Sequence, residues 1–186
     1  MIKKNCAFTG HRPQNFPWGY DEADIRCMTL KKTLAKQIVK LVDDGYTDFF
    51  SGMAEGVDTW AALAVLTLKK ENPVLKLHCV LPYEGQADKW SDPARELYHS
   101  ILEQSDSVEY ISRDYYDGCM LDRNCRLIKL AGLLLAVYSG TRRSGTGATV
   151  SYARKMDREI IVIDPITLLV IHEDPNSGLK HGDAQI

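Results

Sequence analysis

Short apolar runs alternate with amphipathic segments along most of the chain, and this alternation constrains the fold more than any other feature. The predicted strands are residues 5–10, 46–51, 75–81, 107–111, 133–138 and 159–163. The predicted helices are residues 21–43, 57–70, 93–104, 119–131 and 147–157, where apolar residues recur at helical spacing. Runs such as LLLAVY and IIVI are apolar at successive positions, which is typical of strands that are covered on both faces. The sequence therefore predicts a single α/β domain, Rossmann-like, with a mostly parallel sheet and helices on both faces.

The domain is predicted to span residues 1–165, with an edge strand and a polar C-terminal tail in residues 166–186. The chain has 186 residues, of which 45% are hydrophobic, and this content suits one globular core. The segment ITLLVIH, residues 166–172, is the expected edge strand. The residues after it are polar and contain Pro and Gly, which indicates a loose tail.

Charge, cysteine content and hydropathy argue against several classes of function. The net charge of −2 gives no overall attraction for nucleic acid, although a local basic groove is compatible with it. Five cysteines without a CxxC pair favour neither a disulfide framework nor a zinc site, and no metal site is predicted. No signal peptide and no apolar segment of membrane-spanning length is recognisable, so we expect a cytoplasmic protein with no membrane partner.

Candidate functional residues lie just after the predicted strands, because open parallel sheets bind ligands beyond the carboxyl ends of their strands. The first strand runs into FTGHRP, which presents Gly10, His11 and Arg12. Arg12 supplies positive charge for an anionic ligand. His11 has three open roles: bonding a phosphate or ribose, acting as an acid or base near neutral pH, or anchoring the loop to a backbone carbonyl.

Two glycine-rich turns, SGMAEGVD and SGTGAT, also join a strand to a helix. Backbone N–H groups at a helix start attract anions, and glycine lets a ligand approach closely. The ligand-binding candidates in these turns are Gly52, Gly56, Asp58, Gly145, Thr146 and Gly147. A simple turn with a capping carboxylate is the alternative for the first turn. Neither turn matches the Walker or dinucleotide fingerprint, which argues against an ATPase or an ordinary dehydrogenase.

Arginine and asparagine side chains complete the candidate set. Arg123 and Asn124 lie near the start of a predicted helix and offer a fork of donors beside an amide, a pair that suits a phosphate and a nearby hydroxyl. Pairing of Arg123 with an acidic residue is the alternative. Arg142 and Arg143 are expected to be a solvated pair in a loop.

Five motifs together resemble the YpsA-like family of the DprA/LOG (SLOG) Rossmann-like superfamily. They are FTGHRP, SGMAEGVD, LPYEGQADKW, RNCRLIKLAGLLLAVYSG and SGTGATVSYARK. FTGHRP is the most specific, whereas the glycine turns are shared across the superfamily. The resemblance implies a domain that binds a nucleotide-derived ligand, such as ADP-ribose, an NAD-like molecule or a nucleoside monophosphate. It also implies that Tyr83, Gln86 and Trp90 lie on the ligand side.

Departures from two better-defined relatives leave two alternatives open. The phosphoribohydrolases of the LOG type carry PGGxGTxxE, and Thr149 stands where their glutamate is expected. An N-glycoside or nucleotide hydrolase would therefore need another carboxylate, for which Asp58 and Glu55 are nearest by motif. Sequences like DprA share SGMAEGVDTWAA, but Ala62 replaces the histidine that usually ends it. DprA-like binding of single-stranded DNA is thus the other alternative, less favoured by the acidic composition.

The expected function is the binding of a nucleotide-derived small molecule in a crevice at the strand ends, in a sensory or regulatory role. No cofactor is assigned beyond this nucleotide or ADP-ribose ligand. A homo-oligomer is an expected form, because superfamily relatives often assemble.

Overall fold

The computed structural model describes residues 4–141 and 143–176. Their strands form one sheet in the order β4-β3-β2-β1-β5-β6-β7. The strand bounds are β1 Lys4–Gly10, β2 Tyr46–Ser51, β3 Lys76–Leu81, β4 Ser107–Tyr110, β5 Leu133–Val137, β6 Glu159–Ile163 and β7 Val170–Glu173. β1 to β6 pair in parallel, and β7 pairs antiparallel with β6.

Helices cover both faces of the sheet, as the apolar strands require. Their bounds are α1 Ile25–Asp43, α2 Val57–Lys69, α3 Asp92–Gln104, α4 Cys119–Leu130 and α5 Gly145–Lys155. α1, α2 and α3 form one layer, and α4 and α5 form the other. Successive residues of β1 point to opposite layers: Phe8 joins the core under the first layer and Ala7 the core under the second. The predicted α/β, Rossmann-like domain is confirmed.

Two helices begin two or more residues away from the predicted start, and capping explains both differences. α1 begins at Ile25 rather than residue 21, because the Asp24 carboxylate accepts a 2.8 Å hydrogen bond from the N–H of Arg26. α5 begins two residues early, at Gly145. There the Ser144 hydroxyl accepts a 3.0 Å bond from the N–H of Gly147, which satisfies a donor that the first helical turn leaves free.

A seventh strand follows β6 in the part of the chain that the structure describes. β7 begins at Val170, inside the predicted edge-strand segment, and lies at the edge of the sheet. The bidentate pair between Arg154 of α5 and Glu173 ties this strand to the second layer. The tail from residue 177 onward and Arg142 lie outside the described residues.

The strand order creates an opening beside β1. From β1 the chain adds β2, β3 and β4 on one side, and then returns to place β5 on the other side. The connections that leave β1 and β5 therefore run to opposite layers. Sheets of this type open a ligand crevice at such a switch point, at the carboxyl ends of the strands.

Candidate functional site

A crevice with a volume of about 150 Å³ lies beyond the carboxyl ends of β1 and β5. The residues that line it are Thr9, Gly10, His11, Arg12, Asn15, Ala54, Asp58, Met120, Arg123, Asn124, Ser144, Gly145 and Thr146. Four segments that are far apart in sequence thus meet at one place. They are the end of β1, the start of α2, the first turns of α4 and the start of α5.

The charged centre of the crevice is the pair formed by Asp58 and Arg123. The side chains approach to 3.9 Å between Oδ2 and Nη1, and the residues are only 6% and 4% exposed. Burial raises the pKa of the Asp58 carboxyl and lowers the pKa of the Arg123 guanidinium, while the charge of each partner opposes the shift of the other. The attraction between the two side chains therefore offsets part of the cost of burying both of them.

Further hydrogen bonds fix the orientation of both side chains. Arg123 donates to the carbonyl oxygen of Gly52 and, from Nε, to the Asn124 amide oxygen at 2.7 Å. The Asp58 carboxylate accepts a 3.3 Å bond from the N–H of Ala54. Asn124 lines the crevice, and its side-chain oxygen is engaged by Arg123.

Gly52 supports the Arg123 side chain and does not itself line the crevice. A Cβ atom at this position would overlap the Arg123 guanidinium, so only glycine leaves room for that side chain. Gln86 braces the same turn, because its Nε2 donates to the carbonyl oxygens of Gly52 at 3.3 Å and Met53 at 2.7 Å. The structure places these two predicted ligand residues as supports of Arg123.

Gly10 and Gly56 permit the FTGHRP loop to lie against the start of α2. A Cβ atom on Gly10 would come within 2.5 Å of the Val57 side chain. Gly56 has a φ of +99°, a conformation that side chains disfavour, and a Cβ there would lie 3.0 Å from Cδ of Pro13. Close packing of each glycine's backbone against a neighbouring side chain, Val57 for Gly10 and Pro13 for Gly56, explains both glycines.

His11 bridges the carboxyl ends of β1 and β5. Its Nε2 lies 3.1 Å from the hydroxyl of Ser139 and accepts a 3.4 Å bond from the Ser139 N–H. This backbone contact requires an unprotonated Nε2, and burial lowers the pKa of the imidazole in agreement with it. His11 thus anchors the loop through the Ser139 N–H and hydroxyl rather than through a backbone carbonyl, and it also lines the crevice.

The start of α5 forms the far wall of the crevice. Gly145 and Thr146 line it, whereas the N–H of Gly147 is occupied by the Ser144 cap. Thr149 is 1% exposed, and its hydroxyl donates to the carbonyl oxygen of Gly145 at 2.9 Å. The position expected for a hydrolase glutamate therefore carries a buried hydroxyl that is engaged in the helix.

Arg12 is exposed and lines a second cavity as well as the crevice. This cavity, the Trp90 lobe, has a volume of about 580 Å³ and is lined by Arg12, Gln14, Tyr20, Glu55, Lys89, Trp90 and Ser91. Trp90 packs edge-on against Tyr98 with ring centroids 5.3 Å apart. Tyr83 packs against Tyr115 at 5.5 Å and lines neither cavity.

Comparison with known proteins identifies the family. The sequence model of the YpsA family, described as the YspA SLOG family, matches residues 6–168. The chain belongs to the YpsA SLOG family. Among curated relatives, a UPF0398 protein of Halalkalibacterium halodurans is 30% identical over 132 residues, which is 70% of each chain. A UPF0398 protein of Bacillus cereus is 31% identical over 157 residues, covering 82% of this chain and 83% of that protein.

Solved structures with a similar fold include two DNA processing proteins. DprA from Helicobacter pylori, described in terms of its single-stranded DNA binding mode, aligns with a TM-score of 0.59 and 19% identity. The alignment covers 95% of this chain and 71% of that one. DprA from Streptococcus pneumoniae aligns with a TM-score of 0.57 and 16% identity over 87% of this chain, which spans 50% of that protein. At these identities the likeness concerns the fold.

Several lining residues of this YpsA family member are absent from the sequence prediction. Ser144 could have been found, since a serine before a glycine-rich helix start is a capping signal. Asn15, Ala54 and Met120 carry no such signal. They reach the crevice only because a short 3₁₀ turn at Pro13–Asn15 and the starts of α2 and α4 converge there.

Metal and membrane features are not found in the described part of this YpsA family member. Residues 4–141 and 143–176 contain no cluster of three or more His, Cys, Asp or Glu side chains that could hold a metal ion. Among the same residues, no helix combines the length and apolar character needed to cross a membrane.

Proposed function

We propose that this protein binds a nucleotide-derived small ligand in the crevice, with a sensory or regulatory role. The observation that carries the proposal is the convergence of Arg12, Arg123, Asn124 and the start of α5 on one opening at the switch point of the sheet. Anionic ligands of α/β sheets bind at such openings, where helix starts and arginines supply positive charge.

Different site residues suit the phosphate and the ribose of such a ligand. Arg12 is exposed, so its guanidinium is the group that a phosphate would pair with first. The N–H groups of Gly145 and Thr146 and the partial positive charge of the α5 start add to this attraction. The Asn124 NH₂ and the Asp58 carboxylate suit hydroxyl groups of a ribose. ADP-ribose and NAD-like molecules carry this combination of phosphate and ribose.

Calorimetric titration with ADP-ribose, NAD and AMP tests the proposal. We expect at least one of them to bind, and Arg12→Ala to weaken the binding about tenfold or more, because a charge-assisted contact is lost. Arg95→Ala is the matched control, since Arg95 pairs with Asp92 on α3 and lines neither the crevice nor the Trp90 lobe. Absence of binding across all three compounds would overturn the proposal.

Single-stranded DNA is the second candidate ligand. The fold is similar to that of the Helicobacter pylori protein described by its single-stranded DNA binding mode. The Trp90 lobe also combines Arg12 and Lys89 with the rings of Tyr20 and Trp90, a mixture that suits backbone phosphates and stacked bases. An electrophoretic shift of oligothymidylate at low salt that Lys89→Ala weakens would support this candidate, and no shift would exclude it.

Hydrolysis of an N-glycosidic bond depends on Asp58, because Thr149 carries no carboxylate. Asp58 lines the crevice, and burial raises the pKa of its carboxyl, which favours the protonated form that could donate to a leaving base. Chromatography of a mixture of protein and AMP tests for release of adenine. Release that Asp58→Asn abolishes would assign this activity, and unchanged AMP would exclude it for this substrate.

A further inference from the structure

The crevice is too small for a whole nucleotide. Its volume is about 150 Å³, whereas sites that enclose small organic ligands have volumes of roughly 300–1,000 Å³. A phosphate with part of a ribose fills such a space. The base of a bound nucleotide must therefore lie outside the crevice, in a neighbouring cavity.

The Trp90 lobe is one such cavity. It meets the crevice at Arg12, which lines both. Tyr20 is 62% exposed, and its hydroxyl donates a 3.3 Å bond to the amide oxygen of Gln14 on the same lining. Trp90 is half-buried and held by Tyr98, so the lobe offers aromatic faces whose positions are restrained. Such faces stack on bases without selecting a sequence.

A second lobe meets the crevice elsewhere. This Leu121 lobe has a volume of about 540 Å³ and shares four lining residues with the crevice. Its lining is Gly118, Met120, Leu121, Asn124, Arg143, Ser144, Gly145 and Ala148. Leu121 is 50% exposed and belongs to neither hydrophobic core. An apolar floor with an arginine beside it suits the flat face of a ring.

The two lobes extend from the crevice toward opposite layers of the fold. The Trp90 lobe is built by Glu55 before α2 and by residues 89–91 before α3, which belong to the first layer. The Leu121 lobe is built by the starts of α4 and α5, which form the second layer. The crevice therefore joins the lobes as the narrow middle of one groove.

We propose that the ligand has two ends, with linking phosphate in the crevice and one ring system in each lobe. The chemical class is two nucleosides joined through phosphate, in preference to a nucleoside monophosphate. This inference rests on the proposed function and adds the Leu121 lobe, whose residue Leu121 lies outside the five motifs.

Calorimetric titration with ADP and with diadenosine diphosphate tests this inference. Both compounds contain a diphosphate and adenine, but ADP carries one nucleoside and diadenosine diphosphate carries two. Diadenosine diphosphate is expected to bind about tenfold or more tightly than ADP, as one additional stacked base would provide. Equal affinities would overturn the inference.

Variants of each lobe assign the ends. Tyr20→Ala and Leu121→Asp are each expected to lower the affinity for diadenosine diphosphate about tenfold, whereas only one of the two lowers the affinity for ADP. Tyr110→Ala is the control, since Tyr110 is 44% exposed on β4 and lines neither lobe. An unchanged affinity for diadenosine diphosphate in either lobe variant would contradict the assignment of that lobe.

The outcomes separate this inference from the proposed function. If ADP binds and Arg12→Ala weakens it, but diadenosine diphosphate binds no more tightly, the proposed function stands and the two-ended ligand is excluded. If neither compound nor ADP-ribose, NAD or AMP binds, the proposed function and the inference are both excluded.

Discussion

His11 makes folding stability depend on pH. Burial lowers its pKa from the usual 6.5, so the unfolded chain takes up a proton below that pH while the folded chain does not. Stability from this residue is present above pH 6.5 and is lost as the pH falls through the lowered pKa. We expect wild type to lose more free energy of unfolding than His11→Gln between about pH 7.5 and 5.5, measured by urea denaturation. The other described histidines are common to both proteins, so equal losses would contradict the prediction.

Gly52→Ala and Gly145→Ala are predicted to differ in their effect on the free energy of unfolding. At Gly52 the new Cβ overlaps the Arg123 guanidinium, so Gly52→Ala should destabilise the fold by about 1–3 kcal/mol. At Gly145 a Cβ meets open space, and the free energy of unfolding of Gly145→Ala should stay within about 0.5 kcal/mol of wild type. Urea denaturation of both variants measures this difference, and a Gly52→Ala protein as stable as Gly145→Ala would refute the supporting role of Gly52.

Single residues also show where sequence reasoning reaches its limit. Placement after a strand correctly brings Gly10, Arg12 and Asp58 to one crevice. It does not distinguish residues that line the crevice from residues that support it, because support depends on contacts with distant segments. Gly52 is the example: the side chain that requires its missing Cβ belongs to Arg123, which lies 71 residues later.

At the scale of elements, two serines that precede helices make a matched pair. Ser144 caps α5 through its hydroxyl, whereas Ser91 before α3 makes no capping bond with its side chain. Ser144→Ala should therefore cost about 1 kcal/mol of unfolding free energy, and Ser91→Ala close to none. Thermal or urea unfolding gives both values, and similar costs for the two variants would show that the cap of α5 contributes nothing.

The existence and type of the elements could be predicted from periodicity, and their ends could not. All of the predicted strands and helices lie within a few residues of the observed bounds, because apolar runs covered on both sides leave few alternatives. The start of α1 at Ile25 depends on one carboxylate of Asp24, a local bond that apolar spacing does not record. β7 is shorter than the apolar segment that predicts it. Its antiparallel direction follows from the turn at Asp164, where the carboxylate accepts hydrogen bonds from the N–H groups of Ile166 and Thr167.

At the scale of the whole molecule, strand order decides which loops meet. Apolar strands predict a covered parallel sheet, but they do not give the order β4-β3-β2-β1-β5-β6-β7. The meeting of the α4 start with the FTGHRP loop depends on that order, since it places β5 next to β1. This is why the sequence motifs contain Asn124, Gly145 and Ala148 but do not indicate the lobe that these residues form with Leu121.

The distribution of charge over the whole molecule separates the two ligand candidates by their response to salt. The net charge is −2, so attraction of an anionic ligand is confined to the groove. There Arg12, Lys89 and Arg143 are the exposed cations of the described lining.

Three phosphate contacts on a single strand give a slope of about −2 for log affinity against log salt, or a loss of affinity of about tenfold between 50 and 150 mM. A dinucleotide-sized ligand lacks a condensed counterion layer, and its affinity should fall only about threefold or less. We therefore expect the affinity for oligothymidylate to fall about tenfold between 50 and 150 mM salt and that for ADP-ribose about threefold or less, as measured by fluorescence anisotropy and by calorimetry. The reverse order of salt resistance would contradict this prediction, because phosphate contacts along a strand make binding more sensitive to salt.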